Sequence, residues 1–440
     1  MKPSDGNRSL LVLALLAPVV GAASGLLGAL FRLSLAAADR FRTAAIAWAQ
    51  GGSVAGFVLV AAVCAAAVGV AAWMVRRFSP YASGSGIPQV EALLQDELPS
   101  PPLHLLAVKF FGGLLAMGAG LALGREGPSV QMGAAVAHLA GQVSRRTWLD
   151  CKVLIAAGAG AGLATAFNAP IAGAIFVLEE LMRRFETRTA IAALGASAAA
   201  IAVARAFLGP APDFVVAPIA FAGVRTWALF VALGAVAGVA GTLYSAALLR
   251  TLSAMDRLRR WPVQARAAVV GAAVGVIGWF APGLVGGGDD ITQRVLAGGA
   301  SVALLPLAFL LRFGLGPMSY AAATPGGLFA PILVLGAQLG LFCSAVLGVL
   351  APGMESGGAA FAVVGMAAFF TGVVQAPVTA IVLVIEMTAS FTMLLPMISA
   401  CFAAMLLPNL LGAEPVYDSL RARTFRMQEA EEAGLRLRRK

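Results

Sequence analysis

Long apolar segments separated by short polar gaps run through almost the whole chain. A helix needs about 20 predominantly apolar residues to cross a bilayer, and several of these segments are shorter. Several are also interrupted by glycine or proline, and short, broken apolar segments are typical of transporters whose half-helices meet near the membrane midplane. The pattern therefore predicts an all-α polytopic membrane protein. The segments lie at roughly 10–36, 54–75, 104–123, 129–143, 153–166, 170–182, 190–208, 224–249, 265–285, 302–316, 328–351, 359–374, 377–391 and 393–411.

The start of the chain allows two interpretations. Basic Lys2 and Arg8, the apolar stretch 10–20 and the small residues 21–23 are typical of a cleaved secretory signal. The alternative is an uncleaved first membrane helix that continues to about Phe31. We favour the helix, because the chain as a whole is polytopic.

The two halves of the chain carry the same pattern of residues. Segments 168–179 and 375–386 both begin with an amide residue followed by Ala-Pro, and in both a Glu follows the Pro by nine positions. A Gly-x-x-x-Pro stretch lies upstream of each segment, at 124–128 and at 327–331. Together with the broken helices, this predicts two repeats of inverted topology around a shared site. The predicted boundaries are 1–208 for the first membrane repeat, 209–223 for an external linker, 224–417 for the second membrane repeat and 418–440 for a short cytoplasmic tail without a regulatory domain.

The composition excludes most other classes of protein. Hydrophobic residues make up 60% of the chain and charged residues 12%, with a mean hydropathy of +0.88, whereas a soluble domain carries about 25% charged residues. The same apolar content excludes a disordered chain. The formal net charge of +10 would suggest a nucleic-acid partner in a soluble protein. We expect none here, because basic residues cluster in the short gaps between apolar segments.

These basic gaps predict the orientation in the membrane. Arginines lie together at 76–77, 145–146, 183–184 and 257–260. By the positive-inside rule, these gaps and both termini face the cytoplasm. The Pro-rich stretch 209–213 contains no basic residue, so the linker is predicted to be external. We therefore expect a multi-pass protein of the inner (plasma) membrane, surrounded by the lipid bilayer.

The metal-binding and nucleophilic residue types form no convincing site. The four cysteines are scattered without a Cys-x-x-Cys pair, and there are only two histidines. This pattern indicates neither a disulfide framework nor a metal centre. An intramembrane enzyme would need a Ser/His, paired-Asp or metal-ligand constellation, so we predict that the chain is not an enzyme and has no cofactor.

Helix breaks at four places are the candidate functional sites. Glycines leave backbone N–H groups free at the first three, where a proline early in the helix loses no hydrogen bond. Helix N-termini of this kind bind anions, and the hydroxyls of Ser85 and Tyr417 can donate as well. Glu126 adds a carboxylate at membrane depth, where charge is costly and usually functional. The alternative is that the breaks are ordinary turns between helices. The breaks lie at 83–88, 124–128, 325–331 and 415–417.

Four motifs resemble the signature set of the ClC family of chloride channels and proton/chloride antiporters. They are Gly-Ser-Gly-Ile-Pro at 84–88, Gly-Arg-Glu-Gly-Pro at 124–128, Gly-Leu-Phe-Ala-Pro at 327–331, and Tyr417. The similarity extends over nearly the whole chain, from about residue 10 to about residue 429. It implies the ClC fold and a homodimer in which each subunit has its own anion pathway. It also implies chloride and protons as the transported ions.

The resemblance implies a chloride site made of hydroxyls and backbone amides. The hydroxyls of Ser85 and Tyr417 would hold the central chloride ion. The amides of Leu328 and Phe329 would complete its coordination.

The same resemblance makes Glu126 the external gating glutamate. Its carboxylate would compete with chloride for the pathway when ionised and swing away when protonated. The backbone amides around Arg125 and Gly127 would line the outer anion position, and we expect the Arg125 amide to matter more than its charge. The supporting residues that shape this helix start are Gly124, Pro128 and Gly327.

The pair Glu179-Glu180 has two interpretations. The residues could form ordinary surface salt bridges with Arg183 and Arg184 near a helix end. The resemblance instead matches Glu180 to the internal proton-transfer glutamate of the antiporters, which the channels generally lack. Glu179 would then be a structural residue or a partner on the proton access route. We therefore predict a proton/chloride antiporter, with a passive voltage- or pH-gated chloride channel of the same fold as the alternative.

Other polar residues are predicted to be structural. We expect Glu91 and Lys109 to form buried ion pairs and Glu386, the repeat mate of Glu179, to have no transport role. Asp289 and Asp290 follow three glycines and are predicted to lie in a solvated loop.

Overall fold

The structure is a computed structural model that describes residues 3–219, 226–351 and 357–426. Met1 and Lys2, the end of the predicted linker and most of the predicted tail lie outside these residues. Within the described ranges, nine helices are long and apolar enough to cross a membrane. The prediction of an all-α polytopic membrane protein is confirmed.

Two series of eight helices follow one another along the chain, and a further helical stretch, α17, covers 416–426. The first series contains α1 (Pro3–Gln50), α2 (Ser53–Phe78), α3 (Ile87–Leu94), α4 (His104–Gly118), α5 (Glu126–Val143), α6 (Trp148–Phe167), α7 (Pro170–Phe176) and α8 (Thr187–Leu208). The second contains α9 (Trp227–Arg257), α10 (Val263–Phe280), α11 (Asp289–Leu296), α12 (Leu305–Tyr320), α13 (Phe329–Leu350), α14 (Gly358–Val374), α15 (Pro377–Thr388) and α16 (Leu394–Leu410).

The packing repeats in the same order as the helices. In the first series α1 packs on α6 and α8, and α5 packs on α6; in the second, α9 packs on α14 and α16, and α13 packs on α14. The two series meet where α2 packs on α10 and α7 on α15. The predicted pair of repeats is therefore confirmed, while the exact domain boundaries stay predictions.

Glycines allow the paired helices to touch along their backbones. Gly133 on α5 faces Gly158 on α6, and Gly336 on α13 faces Gly365 on α14. A Cβ on any of the four would overlap the backbone of the opposite helix. Small residues permit this close approach, which drives helix association in lipid by van der Waals packing. The contact anchors the starts of α5 and α13, the two helices that begin at the predicted site.

The first helix is longer than predicted. It continues to Gln50, beyond the expected end of the apolar segment at residue 36. The prediction failed because Asp39 and the arginines around it interrupt the apolar run, whereas the alanine-rich sequence still favours a helix. Leu13 and Ala17 are fully buried, so this helix contributes to the core, and the choice between a cleaved signal and an uncleaved helix stays a prediction.

The two short helices α7 and α15 begin in the same way. Asn168 and Gln375 adopt left-handed backbone conformations, with φ of 50° and 63°, and end α6 and α14. Pro170 and Pro377 then begin α7 and α15. After α7 the chain continues as a π-helical segment, Val177–Leu181. Such π-helical turns occur frequently at functional sites.

Candidate functional site

The loops that precede α3, α5 and α13 are joined by backbone hydrogen bonds. Gly124 and Gly327 exchange two of them, with N to O distances of 2.9 and 2.7 Å. Gly84 donates to the Thr324 carbonyl oxygen at 3.0 Å and accepts from the Gly326 amide at 3.1 Å. Three helix N-termini, each with partial positive charge, therefore start from one hydrogen-bonded cluster.

Glu126 is the first residue of α5 and is fully buried inside this cluster. The backbone amide of Phe329, at the start of α13, donates to Glu126 Oε1 at 2.6 Å. Gly124 and Gly327 lie against the carboxyl group on two sides, where a Cβ would overlap its oxygen atoms. The carboxyl group thus occupies a helix N-terminus that the sequence analysis assigned to chloride.

The two predicted hydroxyl ligands lie in the same region. Ser85 and Tyr417 are fully buried, and neither hydroxyl finds a hydrogen-bond partner among residues 3–219, 226–351 and 357–426. Gly127 packs directly against Ser85, and the Tyr417 ring lies 5.8 Å from the Phe329 ring, centroid to centroid. The two hydroxyls lie close enough to interact with each other, and each can donate one hydrogen bond to an acceptor.

The remaining predicted residues of the cluster shape the two helix starts. Leu328 is the residue that caps α13, and it is fully buried. Pro128 is the third residue of α5, where the ring costs no helical hydrogen bond. The structure thus brings the predicted anion ligands together. The backbone hydrogen bonds between Gly124 and Gly327 join the two helix starts.

A cavity of about 1000 Å³ opens beside Gly124 and Arg125. Five arginines and three aspartates line it, and a surplus of positive charge attracts anions to such a cavity. The charged lining residues are Arg32, Asp39, Arg40, Arg42, Arg125, Asp289, Asp290 and Arg294.

Comparison with known proteins identifies the family. The family model described as "Voltage gated chloride channel" matches residues 65–409, more than half of the chain. The chain belongs to this family. The resemblance of the motifs to the ClC family is therefore confirmed.

Several relatives of this ClC chain carry the name of an exchanger. The H(+)/Cl(-) exchange transporter ClcA of Salmonella arizonae is 36% identical over 437 residues, which is 97% of this chain and 92% of that protein. The ClcA protein of Salmonella typhi is 35% identical with the same coverage. Among solved structures, a slow cyanobacterial Cl-/H+ antiporter matches with a TM-score of 0.91 at 31% identity, covering 95% of this chain and 99% of that one. A eukaryotic CLC transporter at 22% identity, with a TM-score of 0.79 over 94% of this chain and 74% of that one, shares the fold.

The Arg125 side chain joins separate segments of the chain by hydrogen bonds and ion pairs. Its guanidinium group donates to Asp289 Oδ2 at 2.7 Å, to Asp213 Oδ2 at 3.0 Å and to the Ala166 carbonyl oxygen at 2.8 Å. Asp213 also pairs with Arg32 at 2.7 Å. Two carboxylates thus balance the Arg125 charge, and the greater importance of its amide stays a prediction.

The prediction of a solvated loop at Asp289 is wrong. Asp289 is the first residue of α11 and pairs with Arg125. Gly288 precedes it with φ of 101°, as Gly86 precedes α3 with φ of 92°. The glycines at 286–288 therefore correspond, in the second repeat, to the glycines before α3. Comparison of the two repeats in the sequence could have predicted a helix start at Asp289.

Lys109 does not form the predicted ion pair in the described part of the chain. Its ammonium group is fully buried and donates to the carbonyl oxygens of Gly84 and Ser85, at 2.7 and 3.2 Å. Arg312, on the equivalent helix α12, donates in the same way to the carbonyl oxygens of Gly286 and Gly287, at 2.7 and 2.9 Å. Each cation thus binds the backbone carbonyl oxygens of the glycine-containing loop that precedes a short helix. The sequence analysis missed Arg312, which the repeat relates to Lys109.

The two adjacent glutamates have different environments. Glu180 lies in the π-helical segment, is only 3% exposed, and its Oε1 has no hydrogen-bond partner in the described structure. This burial contradicts the surface salt-bridge interpretation for Glu180. Glu179 instead accepts from the Val378 and Thr379 amides at 3.0 and 2.6 Å and from the Thr379 hydroxyl at 2.6 Å. Glu179 is therefore a cap for the start of α15.

Glu386 mirrors this arrangement in the second repeat. It accepts from the backbone amides of Ile171 and Ala172 at 3.1 and 2.7 Å, at the start of α7. The two repeats thus cap each other's short helices, as the identical Pro-to-Glu spacing in the sequence suggests.

Replacing Glu386 with Gln should destabilise the protein without changing transport. The neutral amide cannot accept two hydrogen bonds from a helix start as strongly as a carboxylate, and the expected loss is about 1–2 kcal/mol. The measurement is the thermal unfolding midpoint in detergent, with the exposed Asp290→Asn as the matched control. An unchanged midpoint in Glu386→Gln would argue against a capping role.

Proposed function

We propose that this chain is a secondary active transporter that exchanges chloride for protons. The observation that carries the proposal is the Glu126 carboxyl group on the Phe329 amide, beside the unpaired hydroxyls of Ser85 and Tyr417. One carboxyl group and one anion then compete for the same helix N-terminus. The exchanger names of the relatives from Salmonella support the same function.

The anion step relies on dipoles and hydroxyls. Chloride would take hydrogen bonds from the Ser85 and Tyr417 hydroxyls and from the amides of Leu328 and Phe329. The ammonium group of Lys109 donates to the carbonyl oxygens of Gly84 and Ser85, not to the hydroxyls proposed to bind chloride. A site made of neutral donors binds an anion without trapping it, which a transporter requires.

The proton step follows from the position of Glu126. Protonation removes its negative charge and weakens the hydrogen bond from the Phe329 amide, because bonds to charged groups are the stronger ones. The carboxyl group can then leave and admit chloride. Glu180, which is buried as well, would exchange protons with the inner solution. Tyr417 interacts electrostatically with both glutamates, which supports an anion site within reach of both proton sites.

A passive chloride channel of the same fold is the second candidate. It needs the anion site but no second buried proton carrier, and a buried carboxyl group such as that of Glu180 supports the exchanger instead. The exchanger names among the relatives favour transport coupled to protons over passive flow, and transport over enzymatic activity.

The proposal also includes a homodimer and an orientation in the membrane with cytoplasmic termini. The basic gaps favour cytoplasmic termini and an external position for Glu126 in the inner membrane. The hydrogen bonds of Glu179 and Glu386 lie on an accessible face of α7 and α15, where lipid would not solvate them. A second copy covering this face would produce the expected homodimer, and the mass of the solubilised particle tests it.

In liposomes, a chloride gradient should drive protons uphill. The protein is reconstituted with high internal chloride, equal pH on both sides, and equal potassium with valinomycin to hold the membrane potential near zero. Chloride efflux should then acidify the interior, and a protonophore should abolish the acidification. Chloride efflux without any pH change would instead identify a passive channel.

A further inference from the structure

A cluster of ion pairs joins the three segments that carry Ser85, Tyr417 and Glu180. We name this cluster the inner clasp. Its members are Glu91 on α3, Arg183 just after the π-helical segment, and Asp418 and Arg421 on α17.

Arg183 is the centre of the inner clasp. Its NH2 nitrogen lies 3.1 Å from Glu91 Oε1 and 2.7 Å from Asp418 Oδ1, and its Nε donates to the Glu180 carbonyl oxygen at 3.3 Å. Arg421 adds a second link: its NH1 nitrogen lies 3.6 Å from Glu91 Oε1, and its Nε donates to Glu97 Oε2, just after α3, at 2.8 Å. Two arginines therefore connect α3 with α17, and one of them also connects both helices to the Glu180 segment.

The backbone at Arg183 is strained. Its φ of 51° lies in the left-handed region, which is unfavourable for a residue with a side chain. Such a conformation persists only where the surrounding structure determines it. Here, the ion pairs of the Arg183 guanidinium group with two carboxylates hold the backbone in this conformation.

The inner clasp extends from the protein interior to its surface. The Glu91 side chain is 0% exposed, whereas Asp418 and Arg183 are 27% and 40% exposed. A buried carboxylate requires a paired charge, which favours the closed arrangement. Partly exposed ion pairs are weak, because water screens them, so the outer part of the inner clasp can open.

The position of the inner clasp links it to the chloride site. Ser85 comes two residues before the start of α3, and Tyr417 directly precedes Asp418. The distance between the two buried hydroxyls therefore depends on how α3 and α17 are held together. An inner clasp that opens would widen the passage between Ser85 and Tyr417 on the Glu180 side.

We propose that the inner clasp holds the Ser85 and Tyr417 hydroxyls at a fixed separation and thereby sets the number of protons exchanged per chloride. Arg183 is its positioning residue. The proposal rests on the proposed exchange function, because a ratio exists only where transport is coupled. When the inner clasp opens, chloride passes between the hydroxyls before a proton has moved, and the ratio falls.

The test compares Arg183→Gln, Asp418→Asn and the double variant in liposomes with simultaneous chloride and proton recording. Loss of one partly exposed pair shifts an equilibrium about two- to fivefold, so each single variant should lower the proton-to-chloride ratio by about that factor. The chloride flux should be maintained or increased. The double variant should be no worse than the stronger single variant, and Arg183→Lys should recover part of the ratio. Arg184→Gln, at the exposed neighbouring arginine, is the matched control and should behave as the unmodified protein.

A simple electrostatic effect on Glu180 makes a different prediction. Arg183 and Asp418 both interact with Glu180, but with opposite charge. Their neutralisation would then change the ratio in opposite directions, whereas opening of the inner clasp changes it in the same direction. Opposite changes, or an unchanged ratio in Asp418→Asn, overturn the proposal even if Arg183→Gln fails to fold. An unmodified protein that moves chloride without protons would contradict the proposed function instead.

Discussion

Replacement of Glu126 by Ala is expected to leave chloride flux intact and to reduce coupled proton movement to the level of empty liposomes. The Phe329 amide, which now binds the Glu126 carboxyl group, becomes available to chloride at all times. No other carboxyl group lies on this helix start among the described residues, so no proton carrier replaces it. The measurement is simultaneous recording of chloride efflux and internal pH under a voltage clamp set by valinomycin.

Two further variants make the Glu126 experiment decisive. Glu126→Gln keeps the shape of the side chain but cannot ionise, so it should lose proton coupling as well. Asp290→Asn removes an exposed carboxylate that lines the cavity beside Gly124 and Arg125, and it should keep normal coupling. Retained coupling in both Glu126 variants would remove this residue from the mechanism.

Replacement of Glu180 by Gln should stop proton transport while chloride still moves. The Glu180 side chain is 3% exposed, and its Oε1 has no hydrogen-bond partner in the described part of the chain. The Gln side chain has nearly the same shape but cannot carry a proton between the inner solution and Glu126. Chloride flux remains, because neither the hydroxyls nor the amides of the anion site are altered.

The neighbouring glutamate provides the matched control for this variant. Glu179→Gln weakens three hydrogen bonds at the start of α15, so it should lower thermal stability but preserve the proton-to-chloride ratio. Normal proton flux in Glu180→Gln would end its proposed role. Loss of coupling in Glu179→Gln with normal stability would instead assign the proton route to Glu179.

Local signals predicted the starts of the helices at the site. Glycine and proline at 84–88, 124–128 and 327–331 limit where a helix can begin, because proline fits its first turn and glycine permits the preceding turn. The structure begins α3, α5 and α13 inside these stretches. The repeat could also be predicted from spacing along the chain. The equal Pro-to-Glu spacing places Glu179 at the start of α15 and Glu386 at the start of α7.

Contacts between residues that are distant along the chain could not be predicted in this way. Arg125 pairs with Asp289, which lies 164 positions away. Lys109 was assigned an ion pair because burial of a cation suggests a carboxylate, but its ammonium group instead donates hydrogen bonds to the carbonyl oxygens of two residues. Arg312 went unnoticed because a single arginine in an apolar segment does not reveal which carbonyl groups it meets.

The sequence by itself determined the membrane class, the breaks at which anion-binding helices begin, and the two repeats. These properties depend on hydropathy, on the backbone limits of glycine and proline, and on spacing along one chain. Only the tertiary structure decided that the Glu126 carboxyl group rests on the Phe329 amide, and that Arg183 joins Glu91 to Asp418. The reason is physical: hydrogen bonds and ion pairs depend on distances of about 3 Å between atoms, and packing of remote helices sets those distances.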